Sequence, residues 1–242
     1  MAVKSTGWSS VSLAGVNCHV FVDFDGTIVP CDATDFIFAS FADDRWRDVE
    51  AEWQSGQIGS RECMSRQVAL LKASPEEMLE AVSQIKVDPG FDTFVEDCRR
   101  HGIGMTVVSD GFDYVIERVL RNAGHPGIRF YANHLEPGQD GRWNVTFPYT
   151  REGCRALAGN CKCSFTEPHG SSLKIVVGDG RSDFCIAGEA DLVFAKGTLL
   201  NLCQTNGTPH YPYGDFFTVT RQLGAWLRSA PVRALAKRAA VA

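Results

Sequence analysis

Ten residues, Cys18-His19-Val20-Phe21-Val22-Asp23-Phe24-Asp25-Gly26-Thr27, constrain this chain more than any other stretch. Their apolar run, rich in β-branched and aromatic residues, predicts a buried strand that Gly26 closes with a turn. Asp23 and Asp25 sit two apart, so on a pleated strand their carboxylates point to the same side. Two carboxylates that close repel unless a cation or separate protonation states relieve them. One chemistry uses both: one Asp attacks, the other shuttles protons, and a divalent ion holds the charge. The plainer alternative is a strand ending in an Asx turn, with Asp25-Gly26 as turn residues.

Three further stretches bear on the choice. Val107-Val108-Ser109-Asp110-Gly111 predicts a second strand ending in a hydroxyl, Lys162 lies in a cysteine-flanked loop, and Ile175-Val176-Val177-Gly178-Asp179-Gly180-Arg181-Ser182-Asp183 predicts a third strand ending in acids. Taken in this order, the four pieces resemble the haloacid dehalogenase superfamily of phosphohydrolases, and the resemblance covers most of the chain. Each piece alone is a weak signal.

The residues between these pieces set the domain organisation. Apolar residues at helical spacing run from 33 to about 85, with Ser60 read as the cap of one helix and Ser74-Pro75-Glu76-Glu77 as the start of the next. Several helices are long for a simple crossover. The resemblance implies a small helical cap (C1-type) inserted at this point. The expected layout is therefore residues 1–32 and 88–242 as a catalytic core and 33–87 as the cap.

Further along, residues 133–148 predict a hairpin flap with a turn at 138–141. Residues 184–190 predict a helix, 191–195 a final core strand, and 216–227 an amphipathic helix. The fold class is α/β, a three-layer Rossmann-like core with a mostly parallel sheet, whose active residues gather at the C-terminal strand ends.

The resemblance assigns roles to residues of this sequence. Asp23 is the candidate nucleophile, forming an aspartyl phosphate, and Asp25 protonates the leaving oxygen and then deprotonates the water. An Asp two residues past the nucleophile is what the superfamily's phosphatases and mutases carry. Ser109 and the backbone around Gly111 are expected to bind phosphate, although Ser109 also reads as an ordinary helix N-cap. Asp110 belongs to this phosphate-binding stretch but departs from the family pattern, where Gly is common, and its side chain is expected to turn away towards helix capping. Lys162 and Lys174 both compete as the phosphate-binding lysine. Lys174 opens a strand, at the far end of the sheet, which favours Lys162. Asp179 is expected to ligate Mg²⁺ with Asp23 and the Asp25 carbonyl, and Asp183 to support them.

Cys154, Cys161 and Cys163 are not explained by the superfamily at large. With a fourth ligand such as His169 they suggest zinc, yet their spacing matches none of the usual zinc knuckles. A lysine flanked by cysteines resembles a narrower group, the methionine-salvage phosphatases and the phosphoethanolamine/phosphocholine phosphatases. The flap, and residues 207–217, resemble the methionine-salvage branch. In the cap, Arg61 and Arg66 are the candidates for holding a polar or anionic substrate tail, with Trp46, Arg47, Trp53 and Glu62 as further positions.

Composition narrows the remaining possibilities. The 242 residues suffice for one core plus a modest inserted domain, and the net charge of −5 argues against non-specific nucleic-acid binding. No apolar run approaches the length of a membrane span, and the N-terminal stretch does not resemble a signal peptide. An odd count of nine scattered cysteines suits a reducing compartment. The expectation is a cytoplasmic, Mg²⁺-dependent phosphomonoesterase acting on a small phosphorylated metabolite. A phosphotransferase and a non-catalytic metabolite-binding protein are the competing readings, and phosphoserine, phosphoethanolamine and phosphocholine are the alternative substrates.

Overall fold

The computed structural model describes residues 17–169 and 172–229, so the reading of the N-terminal stretch falls on residues outside the described ones. The chain opens with β1 (Cys18–Val22), then α1 (Ala33–Phe41), α2 (Trp46–Gln54), α3 (Ser60–Val68), α4 (Pro75–Gln84) and α5 (Phe91–Arg100). It continues through β2 (Gly104–Phe112), α6 (Asp113–Asn122), β3 (Phe130–Pro137) and β4 (Trp143–Thr146). A 3₁₀ segment at Lys162–His169 precedes β5 (Leu173–Gly178), α7 (Phe184–Ala187), β6 (Leu192–Ala195), α8 (Gly197–Asn206), β7 (His210–Pro212) and α9 (Phe216–Leu227).

The strands form one sheet in the order β4-β3-β2-β1-β5-β6-β7, all parallel except β4, which closes an antiparallel hairpin with β3. Strand alternation divides the core between the two faces of this sheet. Val20 and Val22 pack with residues of α5, α6 and α9, whereas Phe21, Val108 and Val176 pack with Ile186 of α7 and Leu199 and Cys203 of α8. Helices thus cover both faces, which is what parallel strands with continuous apolar runs require. β1 lies between β2 and β5, so the three strands carrying the acidic and hydroxyl residues end side by side. The strand order reverses there, where open α/β sheets form their ligand crevice.

Local signals explain most element ends. Ser74 and Glu77 form a reciprocal capping box at the start of α4, and Asp215 accepts a hydrogen bond from Thr218 N at 2.7 Å to open α9. Between β1 and β2, α2 packs on α3, while α4 packs on α6 and α5 on α9. The flap reaches the same region, since the Trp143 indole donates to the Ala73 carbonyl at 2.8 Å.

Three local readings are corrected. Gly59, not Ser60, is the N-cap of α3, because the Ser60 hydroxyl donates to the Asp110 carboxylate instead. The helix read over 184–190 stops at Ala187, with Gly188 as its C-cap. The strand at 191–195 is not the last: β7 adds to the edge of β6, and its three residues are too few for a periodicity signal.

Candidate active site

The chain leaves β1 at Val22, and Asp23 N donates to the Val177 carbonyl at 2.9 Å, fastening the turn to β5. Gly26 follows in the left-handed region at φ 66°, and a β-carbon there would collide with the Asp179 carboxylate. Glycine is needed twice over, for its backbone conformation and for the close approach of the two acidic loops. Thr27 Oγ1 donates to Asp179 Oδ1 at 3.2 Å from the same turn.

Lys162 is the lysine that arrives. Its ammonium donates to Asp23 Oδ1 at 2.6 Å, Asp183 Oδ1 at 2.8 Å and Ser182 Oγ at 3.0 Å, which uses all three hydrogens. It is 1% exposed and opens a 3₁₀ segment, so the cysteine-flanked stretch read as a loop delivers its lysine into a buried ion-pair network. Asn160 holds this segment in place: its side-chain amide donates to the carbonyls of Ser109 at 2.7 Å and Tyr131 at 2.9 Å. Nothing in the residue type or spacing of Asn160 signals that task. Lys174 sits at the beginning of β5, opposite the strand ends that carry the acids.

Asp25 turns towards α1, accepting from Ala33 N at 2.8 Å and Thr34 Oγ1 at 3.2 Å. Burial and the neighbouring Asp32 carboxylate push its pKa up to about 8, the direction that favours its protonated form. Ser109, Asp110 and Gly111 lie where the pairing of β2 with β3 shifts register, an irregularity of the kind that re-aims side chains near active sites. Ser109 is 1% exposed, and its Oγ accepts from Gly111 N at 2.9 Å rather than capping α6.

Asp110 is placed differently from the expectation. It does not cap a helix; its buried carboxylate accepts from the Ser60 hydroxyl, from Asn160 N at 2.9 Å and from Asn133 Nδ2 at 3.2 Å. One acid thereby ties α3, the flap and the Lys162 segment together.

Gly111 has no room for a side chain: a β-carbon would lie 2.6 Å from Asp25 Oδ2 and 3.1 Å from Ser109 Oγ. Its φ is not positive, so the constraint is space rather than backbone strain. Gly111→Ala is expected to lower kcat/KM by about 100-fold, through misplacement of Asp25 by ångström-scale crowding, and to lower stability by about 1–3 kcal/mol while the protein stays folded. Steady-state kinetics beside a thermal melt check this.

Asp23, Asp25, Ser109, Asp110, Gly111 and Asp179 line a cavity of about 350 Å³, which also touches Asp32, Asp35, Glu50, Trp53, Met64 and Gln67 from the α1–α3 side. Arg181 joins it from the β5 side, its guanidinium donating to the carbonyls of Trp53 at 3.2 Å and Gln54 at 2.8 Å. Arg61 and Arg66, the sequence candidates for specificity, are not among the lining residues. Arg66 is taken by a bidentate pair with Glu52, at 2.6 and 2.8 Å, and Arg61 is exposed. Trp46 is buried in the core, Arg47 and Glu62 are exposed, and Trp53 alone of that group lines the cavity. The acidic wall beside Trp53 was the part that sequence reasoning missed.

Among the described residues, the only set of three or more candidate ligand atoms all within 4.8 Å of one another comes from Asp23, Asp179 and Asp183. Burial and the Asp183 charge push Asp23 up by more than the Lys162 ammonium pulls it down, and Asp179 is raised to about 6 by burial and the same neighbour. Carboxylates raised in this way are short of positive charge, and hard oxygen donors suit Mg²⁺, so the residues present fit such an ion. Within the trio, Asp183 faces inward: it accepts from Lys162 and, through its other oxygen, from Asp179 N at 3.1 Å and Gly180 N at 3.2 Å. The cysteines do not gather with His169 into such a set. Cys161 and Cys163 bring their sulfurs to 3.5 Å, whereas the His169 ring packs on His19 with centroids 3.9 Å apart.

Comparison with known proteins agrees with this geometry. The haloacid dehalogenase-like hydrolase family matches residues 20–188. A 2-hydroxy-3-keto-5-methylthiopentenyl-1-phosphate phosphatase from an Exiguobacterium species is 30% identical over 211 residues, covering 85% of this chain and 96% of the relative. The protein of the same description from Geobacillus kaustophilus is 32% identical over 209 residues, covering 83% and 92%. Among solved structures, a phospho-aspartyl intermediate analogue of phosphoserine phosphatase superposes with a TM-score of 0.59 at 23% identity, covering 77% of this chain and 90% of that one. A phosphoserine phosphatase from T. onnurineus gives 0.65 at 16% identity, covering 90% and 98%. At those identities the structural likeness speaks for the fold.

Proposed function

The chain belongs to the haloacid dehalogenase-like hydrolases, and from that premise we propose that it hydrolyses a small phosphate monoester through an aspartyl phosphate on Asp23. The observation that carries this reading is the junction of Asp23, Lys162, Asp179 and Asp183 beside a cavity that also opens onto Asp25, an acid that burial pushes towards its protonated form. Asp23 attacks phosphorus as the ester P–O bond breaks, and Asp25 gives its proton to the departing oxygen. Asp25, now ionised, takes a proton from the water that attacks the acyl phosphate, which frees inorganic phosphate and restores both acids. Ser109 and the amides around Gly111 hold the phosphoryl oxygens, and Lys162, oriented by Asp183 and donating to Asp23, supplies positive charge to the developing oxyanion. A bound Mg²⁺, held by Asp23, Asp179 and the Asp25 carbonyl, would neutralise charge on the phosphoryl group. The helices at 33–87 act as the cap that excludes water, tied to the core by Ser60–Asp110, by Arg181 and by the packing of α4 on α6. Nine free thiols suit a reducing, cytoplasmic setting.

The relatives' descriptions make 2-hydroxy-3-keto-5-methylthiopentenyl-1-phosphate the first substrate to try. One observation favours a second reading, a phosphoester with an ammonium group such as phosphoethanolamine or phosphocholine. Asp32, Asp35 and Glu50 line the leaving-group end beside Trp53, and burial and the neighbouring acids push Asp35 up to about 7. A cation facing that wall would relieve it, and an aromatic face adds to the attraction. The same wall would repel the carboxylate of phosphoserine.

Phosphate release from this panel with Mg²⁺ tests both readings, alongside Glu50→Gln. If the ammonium reading holds, Glu50→Gln lowers kcat/KM for phosphoethanolamine by about tenfold, the worth of one charge-assisted contact, and leaves the neutral substrate within twofold. Equal loss on both substrates would sink the ammonium reading. Absence of hydrolysis across the panel, with tight binding of one member, would support a metabolite-binding protein instead.

A further inference from the structure

Two residues that the family match does not reach, Lys196 and Tyr213, stand against the site from the C-terminal side of residues 20–188. Tyr213 follows the short edge strand β7 and is 7% exposed. Its hydroxyl donates to Thr27 Oγ1 at 3.4 Å, and Thr27 Oγ1 donates in turn to Asp179 Oδ1 at 3.2 Å. Thr27 is 1% exposed, so no bulk water competes for its hydroxyl.

A threonine hydroxyl has a single hydrogen. Having given it to Asp179, Thr27 gains from a donor on its lone-pair side, and Tyr213 is that donor. The sense of the chain is fixed from Tyr213 through Thr27 to the carboxylate, and each bond polarises the next. Burial pushes the Tyr213 phenol well above its usual range, which keeps it a donor at every working pH. The Lys196 ammonium lies 5.0 Å over the Tyr213 ring. The Asp179 main chain is held from the same side, its carbonyl accepting from Leu199 N at 3.0 Å.

We infer that Thr27 and Tyr213 are coupled positioning residues that fix the Asp179 carboxylate for a divalent ion and so set the affinity of the site for Mg²⁺. The inference rests on the reading of Asp179 as an ion ligand. Outer partners of a ligand commonly govern metal affinity by about 10- to 100-fold when removed. Thr27→Val keeps the shape of the side chain and removes the hydroxyl; Tyr213→Phe removes only the phenol oxygen.

The experiment titrates the whole chain with Mg²⁺ by calorimetry and by the Mg²⁺-induced rise in melting temperature, with phosphate release measured in parallel. Thr27→Val is expected to weaken Mg²⁺ binding by about tenfold and Tyr213→Phe by about threefold, with half-saturation in the kinetic assay rising more than kcat at saturating Mg²⁺ falls. Tyr213→Phe in a Thr27→Val background should add nothing, since the phenol acts only through the threonine, and Thr27→Ser should restore binding. Mg²⁺ affinity within twofold of the unaltered protein in both single variants, or effects that multiply in the double variant, would overturn the coupling. Asp179→Asn separates the premise from the inference. Loss of the Mg²⁺ response in Asp179→Asn, with none of these changes in Thr27→Val or Tyr213→Phe, refutes the coupling alone. An unchanged response in Asp179→Asn refutes both.

Discussion

Asp23→Asn is expected to lower phosphate release by about 10⁵-fold, the scale on which removal of a nucleophile removes covalent catalysis. An amide of the same shape can still accept from Lys162 through its oxygen but cannot attack phosphorus. A hydroxylamine-sensitive phosphoryl label on the protein should disappear with it. The fold should survive, and the sign of the stability change follows from the direction of the Asp23 shift. Burial and Asp183 raise its folded pKa above the unfolded value of 3.8. Such a group contributes stability that is fully present below the unfolded pKa and is lost as pH rises through the folded pKa. Asparagine has no such loss, so metal-free Asp23→Asn should gain on the unaltered protein in melting temperature as pH is raised from 4 to 8. Residual turnover within tenfold of the original would end the nucleophile assignment. A melting-temperature difference that shrinks with rising pH would show that the Lys162 ion pair outweighs desolvation.

Lys162→Met is the second large effect, and it moves stability and activity together. The lysine is fully buried between Asp23 and Asp183, with ion pairs at 2.6 and 2.8 Å. Removing one partner of a buried ionic cluster leaves the remaining charges without compensation, at a cost of about 3–5 kcal/mol. Without the ammonium, Asp23 is pushed still higher, and by the same linkage the deficit of the variant should widen as pH rises. Mg²⁺ should recover part of the melting temperature by supplying positive charge to the same carboxylates. Activity should fall by about 10²- to 10³-fold even with saturating Mg²⁺, the scale for a lost donor to a developing oxyanion. Thermal melts at pH 5 and pH 8, with and without Mg²⁺, test the stability arm. A variant as stable as the unaltered protein at pH 8 would mean that Lys162 is not held as described.

Which features were legible from the sequence follows a physical rule. The strand before Asp23, the box Ser74–Glu77 and the helix at Phe216–Leu227 rest on interactions between residues close in the chain. Periodicity, capping and turn chemistry operate over that range, and they were read correctly. The β3–β4 hairpin belongs with them, because a turn and its two flanking strands carry their own register. The pairs Asp23/Asp25 and Asp179/Asp183 were visible for a related reason: each is a short pattern attached to a strand end.

The misreadings involve contacts between residues far apart in sequence. Ser60 has the right residue type for a cap, yet its hydroxyl is taken by Asp110, 50 positions away. Asp110 likewise prefers three distant donors to the nearby helix end, because burial makes an unpaired carboxylate more costly than a missing cap. Arg61 and Arg66 have suitable charge, but Arg66 is already bound to Glu52 and neither reaches the cavity. The wall of Asp32, Asp35 and Glu50 has no sequence motif at all, since it comes from α1 and its approach and from α2.

By itself the sequence determined the catalytic strands and most of the helices, the four chemical stretches and the identity of the acids. Those properties are encoded by apolar spacing and turn residues within a few positions of one another. Only the tertiary structure decided how Lys162 meets Asp23 across 139 positions, which residues wall the α1–α2 side of the cavity, and that Tyr213 reaches back to Thr27 across 186. Sheet order and helix packing set those meetings, and a hydrogen bond forms wherever they bring donor and acceptor together, whatever the separation along the chain.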